Sequence, residues 1–442
     1  MSYIKLDEIN HILQIKIKIL TPFLLLLWTS IGLSSLFNSA SAAEPLVVLT
    51  TFSEEPMGAL FEEFKQLNPD VPIQVVYRRT GPALKWVKQS SIHPVDMIIS
   101  STPTFFRDLD NAGLIVAPSE RYDMPPWLKI HDLTKSNKTI ALGYSGITIM
   151  YNQRYLEKNN LPIPHTWKDL AAAQFSGHIM MSTPNNSGTT HMMVEGVLQQ
   201  KGWIQGWALL REIGGNLASV SARSFGVSES ISRGLVGAGV VIDSYAIDSK
   251  DKFDFTNFNY LPNTVILPTY ISVTSRGRSK ANVEKLIQYF LSTNGQKLIS
   301  SSAVAKRSLT DSSLAKSTQP VINEEVLFNR ADIINSLFDQ VITYQLPKLQ
   351  LAWKLIHQAE ASTTISSDEQ QLISQARLLA SSVPIDEAES LSLALQNQFI
   401  QISTEHKHTT EIEQILYQWR KKSEHQLDQA ISLMNSLVSK KS

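Results

Sequence analysis

The distribution of glycine constrains the fold of this chain more than any other feature of its sequence. All 19 glycines lie between Gly32 and Gly295, so the last 147 residues contain none. Residues 45–295 alternate short apolar runs with Gly, Pro and Asn, whereas the final segment is rich in Leu, Ile, Gln, Glu, Ser and Lys. Because the two compositions favour different architectures, we predict an α/β body followed by an all-helical extension.

The composition excludes several classes of function. The 442 residues carry 40 basic and 40 acidic side chains, and this neutrality argues against nucleic acid as a partner. A chain without cysteine has no disulfide, no thiolate zinc site and no thiol nucleophile. The glycine-rich run 234–239 precedes a predicted strand, whereas a dinucleotide-binding loop must follow one. We therefore predict no metal and no cofactor.

The amino terminus, residues 1–43, has the pattern of a signal peptide. Lys16 and Lys18 precede an uncharged stretch, Ile19–Ala43, which closes on Ala40-Ser41-Ala42, the pattern of a signal-peptidase site. Since a stretch of 25 residues could just span a bilayer, an inner-membrane signal anchor is the alternative. We expect cleavage and a periplasmic protein.

Residues 44–320 are predicted to form a two-lobed α/β domain. Strands at 46–50, 73–77 and 96–99 are each followed by a polar loop and a helix, which is typical of a parallel sheet with its ligand edge at the strands' carboxyl ends. Further strands are predicted at 140–144, 147–151, 179–182, 217–220, 239–242, 264–267 and 270–273. The first lobe would hold about 45–142 and 266–320, and the second about 146–262. Such lobes close around a ligand by hinge bending.

Candidate ligand-binding residues follow strands of both lobes. Those of the first lobe are Thr51, Ser53, Thr80, Gly81 and Ser101, and those of the second are Ser187, Gly188, Thr189, Arg223, Ser224, Asp243 and Tyr245.

The chemistry of this set favours an anion. Ser187, Gly188 and Thr189 begin a predicted helix, where free backbone N–H groups attract negative charge, although ordinary capping would explain one hydroxyl. Arg223 could offer a guanidinium fork to a phosphate or carboxylate, or form a surface salt bridge. Asp243 could orient Arg223 or a ligand hydroxyl, or cap the next helix.

An enzymatic function is not predicted. The run Gly143-Tyr144-Ser145-Gly146-Ile147 is similar to a nucleophile elbow but has Ile147 where the second glycine belongs. A periplasmic hydrolase using the Ser145 region is the alternative of another class.

Residues 45–300 resemble the periplasmic extracellular solute-binding proteins of the ferric-iron, thiamine and phosphonate type. More narrowly, several blocks resemble the phosphoglycerate transport regulatory protein family. These blocks are Met180–Pro184, Thr190–Glu195, Leu198–Trp203, Gly206–Ala208, Gly215–Leu217, Ser224–Val227 and Val241–Ala246.

This resemblance implies a two-lobed type II binding-protein fold and a regulatory function. The family's ligands are phosphoglycerates and phosphoenolpyruvate, and its partner is a membrane sensor kinase that, with a response regulator, induces phosphoglycerate uptake. The alternative within binding proteins is the solute-binding component of an ATP-driven importer for phosphonate, ferric iron or another small anion.

Residues 321–442 are predicted to form the helical extension. Ile334, Leu337, Phe338, Val341 and Tyr344 would share one helix face, which Pro347 should kink or break. Ser366 and Glu369 form a capping-box pattern, and Pro384 suits the first turn of a further helix. We expect one face of the extension to bind the periplasmic part of the sensor, and its deletion to abolish induction without affecting ligand binding.

Overall fold

The structure is a computed structural model that describes residues 44–52, 54–89, 94–301, 304–316, 322–362, 365–405 and 410–441. The predicted signal peptide, 1–43, lies outside the described residues. Within them, no helix combines the length and the apolar character needed to cross a membrane.

The first part of the chain alternates strands with helices, as the strand–loop–helix pattern predicts. Its elements are β1 (Leu46–Thr50), α1 (Glu54–Leu67), β2 (Ile73–Tyr77), α2 (Thr80–Gln89), β3 (Met97–Ser100), α3 (Pro103–Asn111), β4 (Ile115–Val116) and α4 (Pro126–Lys129). Strand β1 lies between β2 and β3 and is parallel to both. Strands buried on both faces of a parallel sheet are continuous apolar runs, and the Leu46–Leu49 run of β1 follows this rule.

The middle of the chain continues the alternation. Its elements are β5 (Ile140–Asn152), α5 (Gln153–Lys158), α6 (Trp167–Ala171), β6 (Ile179–Ser182), α7 (Gly188–Lys201), α8 (Trp203–Asn216), β7 (Leu217–Ser221), α9 (Ser224–Ser232), β8 (Ala238–Ile242), α10 (Asp243–Lys252), β9 (Thr256–Tyr260), β10 (Ile266–Thr274), α11 (Lys280–Leu291) and α12 (Thr293–Ile299). Strand β6 is parallel to both β7 and β8. The carboxyl ends of these three strands therefore meet at one edge.

Strand β5 joins two groups of parallel strands. The first group is β1, β2 and β3, and the second group is β6, β7 and β8. Its residues from Ile140 to Gly146 pair antiparallel with β10, and those from Ile147 onward pair with β8 and β9. The sequence predicted two strands here, at 140–144 and 147–151; they are one strand because Ser145 and Gly146 remain paired to β10. The full order in the described residues is β2-β1-β3-β10-β5-β8-β6-β7, with β4 beside β10 and β9 beside β5.

Other boundaries also differ from the prediction. The strands predicted at 264–267 and 270–273 are one strand, β10, whose register against β5 shifts between Thr269 and Tyr270. The segment from Lys280 to Ile299 forms two helices, because the Ser292 side chain caps α12 by accepting the Gly295 N–H at 3.1 Å.

The last part of the chain is helical in its described residues. Its α-helices are α13 (Glu324–Asn329), α14 (Ala331–Phe338), α15 (Leu346–Glu360), α16 (Ser367–Ser381), α17 (Glu387–Ser390), α18 (Leu393–Glu405) and α19 (Thr410–Lys441), with a π-helical turn, Asp339–Thr343, between α14 and α15. The capping box of Ser366 and Glu369 is present at α16. Pro347 lies in the first turn of α15, so the chain breaks there as predicted.

Two predictions for the extension were wrong. Tyr344 does not share the buried face of Ile334 and Leu337 and is 55% exposed. A π turn adds one residue, and this rotates the next residues by about 100° about the helix axis. Pro384 does not begin a helix, because α17 starts after Asp386, whose side chain accepts the Glu389 N–H at 2.8 Å.

The main hydrophobic core is shared by the second group of strands and the extension. Trp207 of α8 is buried in the same cluster as Phe338 of α14 and Trp353 of α15. Gly214 and Gly215 of α8 allow this packing, because a Cβ atom there would lie 2.8 and 2.5 Å from side-chain atoms of α15. From Leu46 onward the chain forms one compact unit, so the extension is packed into the α/β body.

Candidate functional site

A polar cleft lies where the carboxyl ends of six strands meet, three from each group. Its lining follows β1 (Thr51, Phe52), β2 (Arg79, Thr80), β3 (Ser101, Thr102), β6 (Asn186, Ser187, Gly188, Thr189), β7 (Arg223, Ser224, Phe225) and β8 (Tyr245), and includes the strand-end residues Tyr77 and Ile242. Among the residues that the structure describes, the lining contains two arginines and no acidic residue, so this part of the cleft has a net positive charge.

Hydroxyl groups on the cleft wall formed by the first group of strands are held by hydrogen bonds to neighbouring strands. The Thr51 hydroxyl bonds to that of Ser100 at 2.8 Å, and the Ser101 hydroxyl bonds to that of Thr269 on β10 at 2.8 Å. Both bonds fix side chains that come directly after parallel strands. These hydroxyls are therefore pre-oriented at the cleft wall.

Arg78 and Arg79 point in different directions, as alternation along an extended chain requires. Arg79 lines the cleft, and its Nη1 lies 3.4 Å from Oδ1 of Asn186 on the opposite wall. The Arg78 guanidinium instead lies over the ring of Trp86, 4.2 Å from its centroid. Arg79 is therefore the cleft cation of the pair.

The second-group wall is built around the start of α7. Ser187 caps this helix by accepting the Thr190 N–H at 3.2 Å, and its hydroxyl lies 2.9 Å from that of Thr189. The first N–H groups of a helix have no intrahelical acceptor, so those of Gly188 and Thr189 are available to a ligand. Gly188 is required here because a Cβ atom would overlap the side chain of Thr102 on the opposite wall.

Two more helices begin at the same wall. Arg223 is the residue before α9, its side chain makes no capping bond, and its guanidinium lies 5.0 Å from the Phe225 ring centroid. Ile242, which precedes α10, likewise makes no side-chain capping bond. The partial positive charges at the starts of α7 and α9 therefore add to the two guanidinium charges, whereas the Asp243 carboxylate in the first turn of α10 offsets the positive charge of that helix start.

The structure brings nine of the twelve predicted residues to one cleft. These are Thr51, Thr80, Ser101, Ser187, Gly188, Thr189, Arg223, Ser224 and Tyr245. Ser53 lies outside the described residues, and Gly81 is in the first turn of α2 but not in the lining.

Asp243 also lies outside the lining and does not contact Arg223. Its carboxylate is fully buried and accepts the Gly146 N–H at 3.0 Å and the Tyr260 hydroxyl at 2.9 Å, with Nε of Arg307 at 3.6 Å. Burial raises the pKa of Asp243, opposed by the Gly146 and Tyr260 hydrogen bonds. Asp243 thus ties α10 to β5 and β9 rather than contacting a ligand in the cleft.

A buried lysine lies near Asp243. Lys306 has its Nζ 4.2 Å from the ring centroid of Phe52, a cleft residue, and 3.4 Å from the Ser145 hydroxyl. Burial lowers the pKa of Lys306 to about 8, and the charge of Asp243 opposes this. Ser145 is only 1% exposed and lies inside β5, not on a strand-to-helix turn, so the nucleophile-elbow geometry is absent at this position.

The residue set missed several parts of the lining. Thr102, Asn186 and Phe225 were not selected, although each adjoins a selected position, and Tyr77, three positions before Thr80, was also missed. Arg79 was not selected either. The position of each loop after a strand was the usable signal. Including all residues within two positions of a strand end would have added Tyr77, Arg79 and Thr102, whereas Asn186 and Phe225 lie four positions after β6 and β7.

The sequence is similar to a known family of bacterial proteins. The sequence model of the bacterial extracellular solute-binding proteins matches residues 93–328, more than half of the chain. The chain belongs to this family. The phosphoglycerate transport regulatory protein PgtC of Salmonella typhimurium is 31% identical to this solute-binding protein over 369 residues, which cover 80% of this chain and 90% of PgtC.

Solved structures support the fold of this solute-binding protein. The periplasmic binding protein AfuA from Actinobacillus pleuropneumoniae, solved with fructose-6-phosphate bound, has a TM-score of 0.61 at 17% identity, covering 67% of this chain and 98% of AfuA. Iron-bound HitA from Pseudomonas aeruginosa has a TM-score of 0.53 at 15% identity, covering 66% of this chain and 98% of HitA. The predicted periplasmic-binding-protein fold with a helical C-terminal region is thus confirmed, and about a third of the chain has no counterpart in these structures.

Proposed function

We propose that the cleft binds a small phosphorylated three-carbon acid, such as a phosphoglycerate or phosphoenolpyruvate. The observation that carries this proposal is the convergence of two arginines and the starts of α7 and α9 on a cleft whose described lining has no acidic residue. Such ligands carry a phosphate and a carboxylate within a few bonds, so one arginine from each wall can serve each anionic end. The likeness to PgtC, whose name refers to phosphoglycerate transport, supports the same ligand class.

The residues proposed to contact the ligand are those of the predicted set that line the cleft, together with Arg79. The two walls belong to lobes of about 45–142 with 266–320 and about 146–262, which we propose move about β5 and the start of β10. A ligand contacted by Arg79 and Arg223 at once would favour the closed arrangement.

Calorimetry of the full chain tests the ligand class. We expect binding of 3-phosphoglycerate, 2-phosphoglycerate or phosphoenolpyruvate, and at least about tenfold weaker binding of glycerate, because it lacks the phosphate that accepts charge-assisted hydrogen bonds. Ferric citrate and a phosphonate are the comparison ligands for an importer component. Preference for either of these over all three phosphorylated acids would contradict the proposal.

Each cleft arginine has a matched control nearby. Arg223→Gln should weaken binding about 10- to 100-fold, since a hydrogen bond to a charged group contributes about 1.5–3 kcal/mol. Arg233→Gln, at the other end of α9, removes an exposed ion pair with Glu229 and should leave affinity unchanged. Arg79→Gln and Arg78→Gln form the second pair. Equal effects within a pair would exclude a specific role for the cleft arginine.

We further propose that the protein works in the periplasm after removal of residues 1–43 and reports its ligand to a membrane sensor kinase. The regulatory name of PgtC supports this function, and about a third of the chain, which has no counterpart in AfuA, leaves room for a partner surface beyond the binding-protein fold. Mass measurement of the exported protein decides between cleavage and a retained anchor.

Surface substitution tests the sensor contact better than deletion of 321–442. Deletion would expose the apolar side chains that the extension buries against α7 and α8, so loss of folding is expected. Leu378 of α16 is 65% exposed and lies beside Ile204 of α8 in a groove. Leu378→Glu should reduce phosphoglycerate-induced transcription without changing ligand affinity. Leu67→Glu, at the end of α1, is the control; normal induction by Leu378→Glu would exclude this surface.

A further inference from the structure

The loop that leads into α7 is held from behind by a side chain of the helical extension. Asp339, in the π-helical turn, accepts hydrogen bonds from the Thr183 hydroxyl at 2.7 Å and from Nδ2 of Asn185 at 3.1 Å. Thr343 donates a third bond to the same carboxylate at 2.7 Å. Asp339 is buried and does not line the cleft, so it contacts the loop without reaching a ligand.

A second side chain of the extension holds the first turn of α7. Nδ1 of His191 lies 2.8 Å from Oδ1 of Asn335. His191 directly follows Thr190, whose N–H donates to the Ser187 hydroxyl. Asn335 and Asp339 are four positions apart and so lie on one side of the helix. The loop 183–187 and the start of α7 therefore rest on a common support formed by the extension.

The carboxylate of Asp339 lies behind a helix start that is proposed to bind an anion. A carboxylate close behind an anion-binding helix start disfavours the anion by charge repulsion. An amide or hydroxyl would avoid this repulsion, so the benefit of Asp339 must come from its hydrogen-bond geometry. A carboxylate can accept all three donors at once because it has two oxygens and no hydrogen to donate.

We propose that Asp339 is a positioning residue for ligand binding: it fixes the loop 183–187 so that the N–H groups of Gly188 and Thr189 face the cleft. The inference rests on the proposed anion-binding function. It assigns to the extension a part in the ligand site as well as the proposed contact with a sensor. A helix start that is already oriented loses less conformational freedom on binding, and this raises affinity.

Two substitutions at Asp339 separate positioning from charge. Asp339→Ala removes the acceptor and the charge, and we expect at least about tenfold weaker binding of 3-phosphoglycerate. Asp339→Asn removes the charge and one of the two acceptor oxygens but keeps the other oxygen and the side-chain volume, so affinity should fall less than in Asp339→Ala. An effect through charge alone would instead make Asp339→Ala bind more tightly.

Hydrogen exchange measured on the ligand-free full chain gives the local readout. Asp339→Ala should speed exchange of the amides at 187–190 while exchange in β1 and β3 stays at wild-type rates. Thr183→Val, which removes one donor, should shift exchange and affinity in the same direction and serves if Asp339→Ala does not fold. Asp428→Ala, which removes an ion pair with Lys348 elsewhere in the extension, is the control and should change neither quantity.

The outcomes are distinguishable from failure of the proposed function. Wild-type affinity and exchange in Asp339→Ala would overturn the inference, as would equal loss of affinity in the alanine and asparagine variants. A wild-type protein that binds none of the phosphorylated acids would refute the proposed function, and the exchange rates at 187–190 would then decide the positioning role alone.

Discussion

Replacing Arg330 with methionine is expected to destabilise the whole protein, because it leaves a buried carboxylate without its cation. The side chains of Arg330 and Glu195 are 1% and 0% exposed, and the guanidinium donates to the Glu195 carboxylate at 2.7, 3.2 and 3.3 Å. The pair joins α7 of the body to the residue that precedes α14 of the extension. Glu195 would retain the bond from Nε2 of Gln199 at 2.8 Å.

The size of the effect depends on this burial. Removing one partner of a buried ion pair costs about 3–5 kcal/mol of the free energy of unfolding. The Arg330 bond to Glu387 adds little, because Glu387 is half exposed. Loss of the guanidinium over the Trp203 ring, 5.3 Å from its centroid, adds about 0.5–2 kcal/mol. We therefore expect a total cost of about 3.5–7 kcal/mol for Arg330→Met.

The double variant Glu195→Met with Arg330→Met separates the charge effect from packing. Replacing both partners by apolar residues removes the unpaired charge, so the double variant should be more stable than Arg330→Met alone by at least about 3 kcal/mol. Urea unfolding at pH 7, followed by both tryptophan fluorescence and circular dichroism, measures the free energies.

An exposed ion pair supplies the control. Arg154 and Asp254 form a pair at 2.9 Å with both side chains well exposed, so Arg154→Met should cost less than about 1 kcal/mol. A cost for Arg330→Met below about 1 kcal/mol, or a double variant no more stable than the single, would refute the reasoning.

Three further substitutions give expected outcomes in the body and the extension. Burial and the nearby Asp108 charge raise the pKa of Asp332 from 3.8 to about 6. Ionised Asp332 therefore destabilises the folded protein, and this cost is absent below pH 3.8 and complete above pH 6. Asp332→Asn should therefore stabilise the protein by on the order of 1–2 kcal/mol at pH 7 and not at pH 3.5, as thermal unfolding would show. Burial lowers the pKa of Arg211 to about 9, and its Nε and Nη2 have no hydrogen-bond partner among the described residues. The free-energy cost of burying the charged Arg211 side chain is complete below pH 9. Arg211→Met should therefore raise the free energy of unfolding by about 1–3 kcal/mol at pH 7 and by less at pH 10. Destabilisation by this substitution at pH 7 would contradict the reasoning. Gly188→Ala should weaken ligand binding about tenfold, because its methyl group would displace Thr102 across the cleft, and calorimetry of a normally folded variant would test this.

The alternation of strands and helices was predictable because each buried strand is a short apolar run that ends in polar residues. Strand β5 shows where this signal fails. Its Gly143, Ser145 and Gly146 interrupt the apolar run, so the sequence indicates two strands. The structure requires small residues there: a Cβ atom on Gly143 would lie 2.8 Å from the Arg307 carbonyl oxygen, and one on Gly146 would lie 2.8 Å from the Tyr260 ring. Both contacts come from segments distant in sequence.

The cleft was largely predictable for a geometric reason. Parallel strands place their carboxyl ends together, so residues such as Thr51 and Arg223 needed only the correct strand boundaries. Asp243 has the same position after β8, yet its side chain is turned towards Tyr260 and the Gly146 N–H. The position of a residue after a strand fixes its neighbourhood, whereas the direction of its side chain depends on partners that the sequence does not identify.

The contacts of the extension differ between the two walls of the cleft, and this difference bears on how a bound ligand could be reported. Towards α7 and α8 they are mainly buried and apolar, and they include the buried Glu195–Arg330 ion pair. Towards the first lobe they include Nη1 of Arg107 donating to the Phe328 carbonyl oxygen at 2.9 Å and an ion pair between Lys135 and Glu324. Polar contacts can exchange with water at little cost, whereas a shared apolar core cannot. If the lobes move as proposed, the extension must therefore travel with the second lobe, and a sensor bound to the extension would detect the displacement of that lobe relative to the first.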